Sequence, residues 1–482
     1  MNIHSRRRAA GIAFVALFAL SQALLWFAYY AHGAKALIGD EQSYQDTALS
    51  ILAGGAWMPS SIWPPLQPLL LAALYGVFGV HVLVAQVAQT LLFIGCAALL
   101  RGLWRDLGGS VAAANWAAAL FLLAPEIAGY AQWLWPEIPH LFLLLATLRL
   151  LARARRACAR EDAHAPARAA APSRAEQQSR DGARGRTLAL CAMLAGACVG
   201  LALLEKSLLA AFWPLLLLAF VRRTRPWFAW RGIAAFALAL GIVTAPALWH
   251  GWRNYGTPMI ADSSIYNLWV GLTDRWRSDY VGDMGGVELP AFLASGATPR
   301  ERNAVYLDKV REHVANQGVA NVLAAQLGRQ YFRLFNAKTS LVSQLPGPAC
   351  AGHLSVYRTS PLVTRLLGFG NDAAHALILV AAAFGLAGWR RRVGMLHAIA
   401  ALFLAYQLAL FALIHVKARF LLPMLPFLCG LAGDVLARVV APRRVDGTLA
   451  LTPPRLLFGT ALAALLLFLA FAPAALDGLC TR

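Results

Sequence analysis

The sequence predicts an all-α polytopic membrane protein with about eleven transmembrane helices and amphipathic interfacial helices in the first outer loop. Three observations carry this. Of 482 residues, 59% are hydrophobic and 14% charged, whereas soluble domains carry about 25% charged residues. The mean hydropathy of +0.57 excludes a disordered chain, because such chains lack the apolar residues that folding buries. Apolar runs of about 20 residues also recur along the chain, each long enough to cross about 30 Å of hydrocarbon as helix.

The first run, 9–31, follows Arg6, Arg7 and Arg8. Its apolar core is too long for a secretory signal and no small-residue cleavage site follows, so it reads as a retained helix. Further runs fall at 81–100, 110–128, 133–151, 188–204, 207–221, 232–250, 372–389, 394–414, 420–437 and 456–473. The stretch 64–79 is too short and begins with Pro64 and Pro65, which favours an interfacial or re-entrant helix.

Threading these spans from a cytoplasmic N-terminus explains the formal charge of +20. Ten arginines between Arg149 and Arg186, and the groups at Arg222–Arg231, Arg390–Arg392 and Arg438–Arg455, all fall on the cytoplasmic side. This is the positive-inside pattern, and it requires no nucleic acid. The expected location is a bacterial plasma (inner) membrane, with a multi-pass chain whose C-terminus is periplasmic. Three regions result. Residues 1–250 form an N-terminal membrane module, interrupted at 152–187 by an Ala- and Arg-rich cytoplasmic linker. Residues 251–371 form an outer-face region, and 372–482 carry the last membrane helices.

Within 251–371, Thr298, Pro299 and Glu301 supply an N-cap, a first-turn proline and a capping-box acid, which predicts a helix starting there. The seven cysteines give no metal spacing or disulfide framework. Only Cys350 and Cys480 face the oxidising side, where they could pair.

Charges inside spans mark ion and substrate pathways, and here they are nearly absent, with Asp434 isolated in the tenth span. Polar groups collect instead at the outer mouths of the helices. Asp40 and Glu41 open a short amphipathic helix whose apolar face is Tyr44, Ala48, Ile51 and Leu52. Asp40 reads either as a helix cap or as a carboxylate kept ionised for general-base work. Glu137 lies at the outer end of the fourth span, Lys206 between the fifth and sixth, and Lys417 and Arg419 between the ninth and tenth. The cations read either as groups snorkelling to lipid or as phosphate binders.

Asp40-Glu41-x-x-Tyr44-x-x-x-Ala48, followed by Trp63-Pro64-Pro65-x-x-Pro68, resembles the first outer loop of the GT-C glycosyltransferases. The resemblance is to bacterial members akin to protein O-mannosyltransferases and the lipid A aminoarabinose transferase. It continues through Glu137, Leu204-Glu205-Lys206-Ser207, Arg253-Asn254-Tyr255-Gly256-Thr257-Pro258 and Arg419-Phe420-x-x-Pro423-x-x-Pro426. The family often has Thr-Lys at Glu205-Lys206 and Arg-Tyr at Arg419-Phe420.

The resemblance implies an inverting membrane glycosyltransferase. It would move a sugar from a polyprenyl-phosphate donor to a hydroxyl on a glycan, lipid or protein at the outer face. Asp40 would be the catalytic base, with Glu41 beside it. Tyr44 and Glu137 would line the acceptor side. Lys206, Arg253, Lys417 and Arg419 would hold the donor phosphate. No obligatory cofactor is expected, although Asp40 and Glu41 could hold a divalent ion. A transporter or flippase of lipid-linked glycans predicts buried charges and repeated halves, and an O-antigen polymerase or ligase predicts decisive residues in a later loop.

Overall fold

The computed structural model describes residues 3–30, 35, 37, 40–164, 174–222, 226–273, 284–329, 331–336, 361–390, 393–440 and 452–476. The N-terminal half holds α1 (Ile3–Tyr30), α2 (Asp40–Leu52), α3 (Leu66–Phe78), α4 (Val82–Asp106), α5 (Val111–Leu123), α6 (Pro125–Tyr130), α7 (Glu137–His164), α8 (Arg174–Glu205), α9 (Trp213–Leu216) and α10 (Trp230–Tyr255). Then follow α11 (Ser264–Thr273), α12 (Met284–Ala294), α13 (Pro299–Gln317) and α14 (Val319–Arg329). The chain ends with α15 (Pro361–Ala387), α16 (Met395–Phe411), α17 (Leu425–Val440) and α18 (Pro453–Leu476). An isolated β bridge joins Val221 to Phe228. The fold is all-helical.

Among the described residues, five stretches are long and apolar enough to cross a membrane: Val82–Asp106, Gly185–Glu205, Trp230–Tyr255, Arg365–Ala387 and Pro453–Phe471. Shorter apolar helices cover Ile12–Trp26, Leu66–Phe78, Val111–Leu123 and Met395–Phe411. Length and apolarity alone therefore give five of the expected spans. The 13 residues of α3 make about 20 Å of helix, too short to cross, as an interfacial helix should be.

Small residues let the helices approach. Gly196 on α8 sits against the backbone of Phe236 on α10, and Gly433 on α17 against Ala113 and Ala117 on α5, with no room for a Cβ at either place. Close approach of this kind is how helices gain packing energy where lipid is as apolar as the side chains.

Contacts between sequence-distant residues define two ends of the bundle. At one end Asp106, closing α4, pairs with Arg149 and Arg156 of α7. There the His397 ring also meets the Leu107 carbonyl at 3.0 Å. Nearby, Trp104 donates to Asp434 at 3.1 Å, so the carboxylate expected to stand alone has a partner. At the other end lie α2, α3, the start of α7 and the ends of α8 and α16.

Three segments differ from expectation. Residues 110–128 are not one helix. Ala124 adopts ψ 114°, because the residue before a proline is pushed out of the α region, and Pro125 starts α6. The linker expected over 152–187 is helical in its described parts, which continue α7 to His164 and begin α8 at Arg174.

The sixth expected span, 207–221, is broken. It consists of a 3-10 turn at Ser207–Leu209, the single turn of α9 at Pro214, and a second 3-10 turn at Leu217–Phe220. Even so it runs the length of α7. Lys206 meets Glu137 at its start, and the Val221 carbonyl accepts from Arg155 at its end. That separation along α7 is about 27 Å at 1.5 Å per residue. The segment covers it with the steeper rise of 3-10 backbone, about 2.0 Å per residue. Leu209, Phe212, Leu216, Ala219 and Phe220 are fully buried, as irregular backbone at membrane depth has to be.

The outer-face region packs α11, α12 and α13 around a small core of Ile62, Tyr266, Val270, Phe292 and Tyr306. The capping box is present as read from the sequence. The Thr298 hydroxyl accepts from the Glu301 amide, and the Glu301 carboxylate accepts from the Thr298 amide, both at 3.3 Å. Arg302, the next residue, is buried and donates to Asp262 at 3.1 Å and to the Ser61 hydroxyl at 2.8 Å. Burial alone pushes the Asp262 carboxyl up, and Asn303 and Arg302 oppose it. This knot holds the α2–α3 loop in place, and that loop borders the site. Cys350 and Cys480 lie outside the described residues.

Candidate active site

The site begins with α2. Its buried face is Glu41, Tyr44 and Ala48, so Leu52, expected on that face, is exposed. The helix starts at Asp40, which puts two carboxylates in the first turn, where the helix dipole favours negative charge. They have different fates.

Asp40 points toward the bundle mouth. Its Oδ2 accepts from Arg419 Nη2 at 3.1 Å, and its side chain is 33% exposed. Arg419 also faces Glu137, with Nε 3.6 Å from Oε1, and the same Glu137 oxygen accepts from Lys206 Nζ at 3.2 Å. The four groups form a chain, Asp40–Arg419–Glu137–Lys206. Its inner members are the most shielded: Glu137 is 3% and Arg419 16% exposed, while Asp40 and Lys206 at the ends reach 33% and 25%. Anions and cations alternate along it.

Local backbone explains the placement. α8 ends at Glu205, and Lys206 turns extended (φ −159°, ψ 126°), which swings its ammonium toward the start of α7. Lys417 is extended as well, and the following 3-10 turn, Ala418–Leu421, presents Arg419. Aromatic rings brace both cations. The Arg419 guanidinium lies 4.6 Å from the Trp135 ring centroid, and Lys206 Nζ lies 4.7 Å from that of Phe420. Phe420 is in turn stacked on Phe411 at the end of α16.

Electrostatics follow from burial and pairing. Burial disfavours the Arg419 cation, but the Glu137 and Asp40 carboxylates more than offset it, so its pKa is raised. Burial pushes the Lys206 ammonium down, against the pull of Glu137. The Tyr44 phenol is held well above its usual value by burial first, then by the charges of Asp40 and Glu137, so it stays neutral.

Glu41 does not share the exposed face with Asp40. Its side chain and that of Lys35 are both 0% exposed and pair at 2.5 Å. The same Glu41 oxygen accepts from the Leu134 amide at 2.9 Å, and the Leu134 carbonyl accepts from Gln67 at 2.8 Å. Lys35 also lies 4.9 Å from the Trp133 ring centroid. Glu41, expected in the catalytic pair, is thus an anchor between α2 and the turn before α7. Replacing Lys35 by Met strands this carboxylate in the interior. The expected loss is about 3–5 kcal/mol, typical of breaking a buried pair, read as a lower thermal midpoint in detergent. The double variant Lys35→Met, Glu41→Leu is expected to regain most of it.

Arg253 is exposed on the last turn of α10. Among the described residues it makes no ion pair or hydrogen bond with the cluster. Lys417 is half-buried, two residues before Arg419. Among the described residues no three His, Cys, Asp or Glu side chains group to hold a metal ion. Sequence reading missed Lys35, which resembles any cation at a span end. Glu205, named there only within a motif, has buried carboxylate oxygens that accept no hydrogen bond among the described residues.

No protein-family model and no curated protein matches the chain. Solved structures similar to it include the oligosaccharyltransferase AglB from the archaeon Archaeoglobus fulgidus, in complex with an inhibitory peptide and a dolichol-phosphate. Identity is 12%, the TM-score is 0.45, and 96% of this chain and 55% of that chain are covered, so the chain spans about half the length of AglB. ArnT from Cupriavidus metallidurans, bound to undecaprenyl phosphate, is 16% identical with a TM-score of 0.35, covering 94% of this chain and 89% of that chain. These likenesses fall on the GT-C enzymes that the sequence also resembles.

Proposed function

We propose that the protein is a membrane glycosyltransferase. It moves a sugar from a polyprenyl-phosphate donor to a hydroxyl acceptor at the outer membrane face, with inversion. The ion-pair chain Asp40–Arg419–Glu137–Lys206 at one end of the bundle is the observation that carries this reading. In the proposed topology that end is the outer one, because the arginine-rich ends of α4, α7 and α8 take the cytoplasmic side. The broken segment 207–221 serves as a span, giving eleven crossings.

The geometry suits an in-line displacement. Arg419 and Lys206 hold the donor phosphate, Arg419 by its fork and Lys206 as a point charge. Lys417 adds charge nearby. An arriving phosphate competes with Asp40 for Arg419, so donor binding releases the Asp40 carboxylate when a base is needed. Asp40 then takes the acceptor O–H proton as the acceptor oxygen bonds to the anomeric carbon. The bond from that carbon to the phosphate oxygen breaks, and its electron pair leaves on the polyprenyl phosphate, where the cations stabilise it. Glu137 keeps the two cations apart and oriented. A divalent ion is not needed for this step, since Lys206 and Arg419 supply the charge.

The test uses the full chain in lipid nanodiscs with a radiolabelled polyprenyl-phosphate sugar and membrane extracts as acceptor. Label passing to a hydroxyl product with inverted anomeric configuration is the expected result. Intact donor movement between leaflets, with no bond broken, would instead favour a flippase.

A further inference from the structure

The end of the bundle opposite the ion-pair chain carries a second concentration of charge, and the proposed reaction uses none of it. Three helices meet there around the stretch of α8 from Gly185 to Cys191. Arg153 and Arg156 on α7 stand close enough for their charges to act on Cys191. On α10, Arg231 lies beside Gly185, with Nη1 3.9 Å from the place where a side chain would begin. Arg186, between them on α8, is exposed. The acids of this end are already engaged, Asp106 by Arg149 and Arg156 and Asp434 by Trp104. Arg153 and Arg231 are exposed, and among the described residues neither makes an ion pair or a hydrogen bond. Two uncompensated guanidinium groups therefore flank the outward face of α8.

What borders these arginines identifies the partner. Trp230 precedes Arg231 and Trp227 lies just before it, and both rings are exposed. The segment that carries them is pinned to α7, since Val221 bridges to Phe228 and its carbonyl accepts from Arg155. Exposed tryptophan at the level of exposed arginine is the pattern of a membrane–water interface, where the rings sit among headgroups. Farther along the helices the exposed side chains turn apolar. Leu190 and Leu194 follow Arg186 at i+4 and i+8 on α8, and Leu238 and Ile242 follow Arg231 at i+7 and i+11 on α10, so each pair continues its arginine's face. Cations, an aromatic rim and a hydrocarbon wall, in that order, match a phospholipid from headgroup to acyl chain. A soluble acidic protein or a nucleic acid would use the charge and leave the apolar wall bare. The headgroup has to be anionic. Guanidinium forks match phosphate oxygens, whereas the cation of a zwitterionic headgroup would find no free carboxylate among the described residues there.

We propose that this face binds an anionic phospholipid, its phosphate at Arg186 between Arg153 and Arg231 and its chains along α8 and α10. Such binding is independent of glycosyl transfer. The test is native mass spectrometry of the full chain in detergent, titrated with phosphatidylglycerol or with phosphatidylcholine of the same acyl chains. Phosphatidylglycerol is expected to fill its first site the more tightly. The double variant Arg153→Gln, Arg231→Gln should weaken that site by about fivefold or more, at least the usual worth of one basic side chain at an anionic lipid surface, and leave phosphatidylcholine unchanged. The variant Arg153→Lys, Arg231→Lys keeps both charges and should retain the preference, which separates lost charge from a folding defect. Arg311→Gln, on the exposed face of α13, is the control and should change nothing. Equal binding of the two lipids, a preference that survives the Gln variant, an equal loss in Arg311→Gln, or displacement of the lipid by inorganic phosphate would each overturn the proposal.

Discussion

Asp40→Asn is expected to lower sugar transfer from a polyprenyl-phosphate donor by about 10²–10⁴-fold, the usual contribution of a positioned general base. The substitution is nearly isosteric, and the amide oxygen it introduces can still accept from Arg419. Since Asp40 is a third exposed and paired at the mouth, no charge is stranded in the interior, and expression and thermal midpoint should stay close to those of the parent. The donor KM should hold or fall, because Arg419 is then no longer shared with a carboxylate. Measured kcat and KM for the labelled donor separate the two effects. Transfer at the parental rate would remove Asp40 from the chemistry. A large rise in donor KM with unchanged kcat would make it a binding residue.

Glu41→Gln provides the contrast. Glu41 lies one residue along the same helical turn, yet it is wholly buried against Lys35 and Leu134. Its loss acts through the fold, and activity should follow the fraction of folded protein. The adjacent pair Asp40-Glu41 reads as one acidic motif in the sequence. Successive residues on a helix point about 100° apart, so only one of them can face the mouth.

The same distinction explains what the sequence disclosed. Asp40, Glu137, Lys206 and Arg419 were legible because each is a charge at the mouth of an apolar run, where bilayer thickness and the positive-inside rule restrict position. The Thr298 capping box was legible because capping is local, with both partners within three residues. Lys35 was not, since its role depends on Glu41 and Leu134, and a single cation after a span has many uses. The apolar face of α2 is legible at Tyr44 and Ala48, which are buried, and fails at Leu52, which is exposed, because periodicity alone does not say which of Ile51 and Leu52 turns inward. The broken course of 207–221 was hidden for a different reason. Its composition is as apolar as that of a lipid-facing helix, and only its burial between other helices permits 3-10 backbone there. Arg253 was carried over from a motif, and the structure leaves it exposed, apart from the cluster.

Arg419 is the other position where a large effect is expected. Arg419→Gln should reduce kcat/KM for the donor by about 10²–10³-fold, the range seen when one preorganised donor to a developing anion is removed. Arg419→Lys keeps the charge but loses the fork that reaches Asp40 and faces Glu137 together. A smaller loss, roughly tenfold, fits the value of about 1.5 kcal/mol at the low end for a charged hydrogen bond. The double variant Asp40→Asn, Arg419→Gln discriminates between a shared machine and two separate sites. If donor binding frees the base by drawing Arg419 away, the base has no function without the cation, and the double variant should be scarcely slower than the worse single one, as for residues that act as a unit. Losses that multiply, as they do for independent positions, would mean that the 3.1 Å contact between Asp40 and Arg419 is only a surface ion pair and that the exchange does not operate.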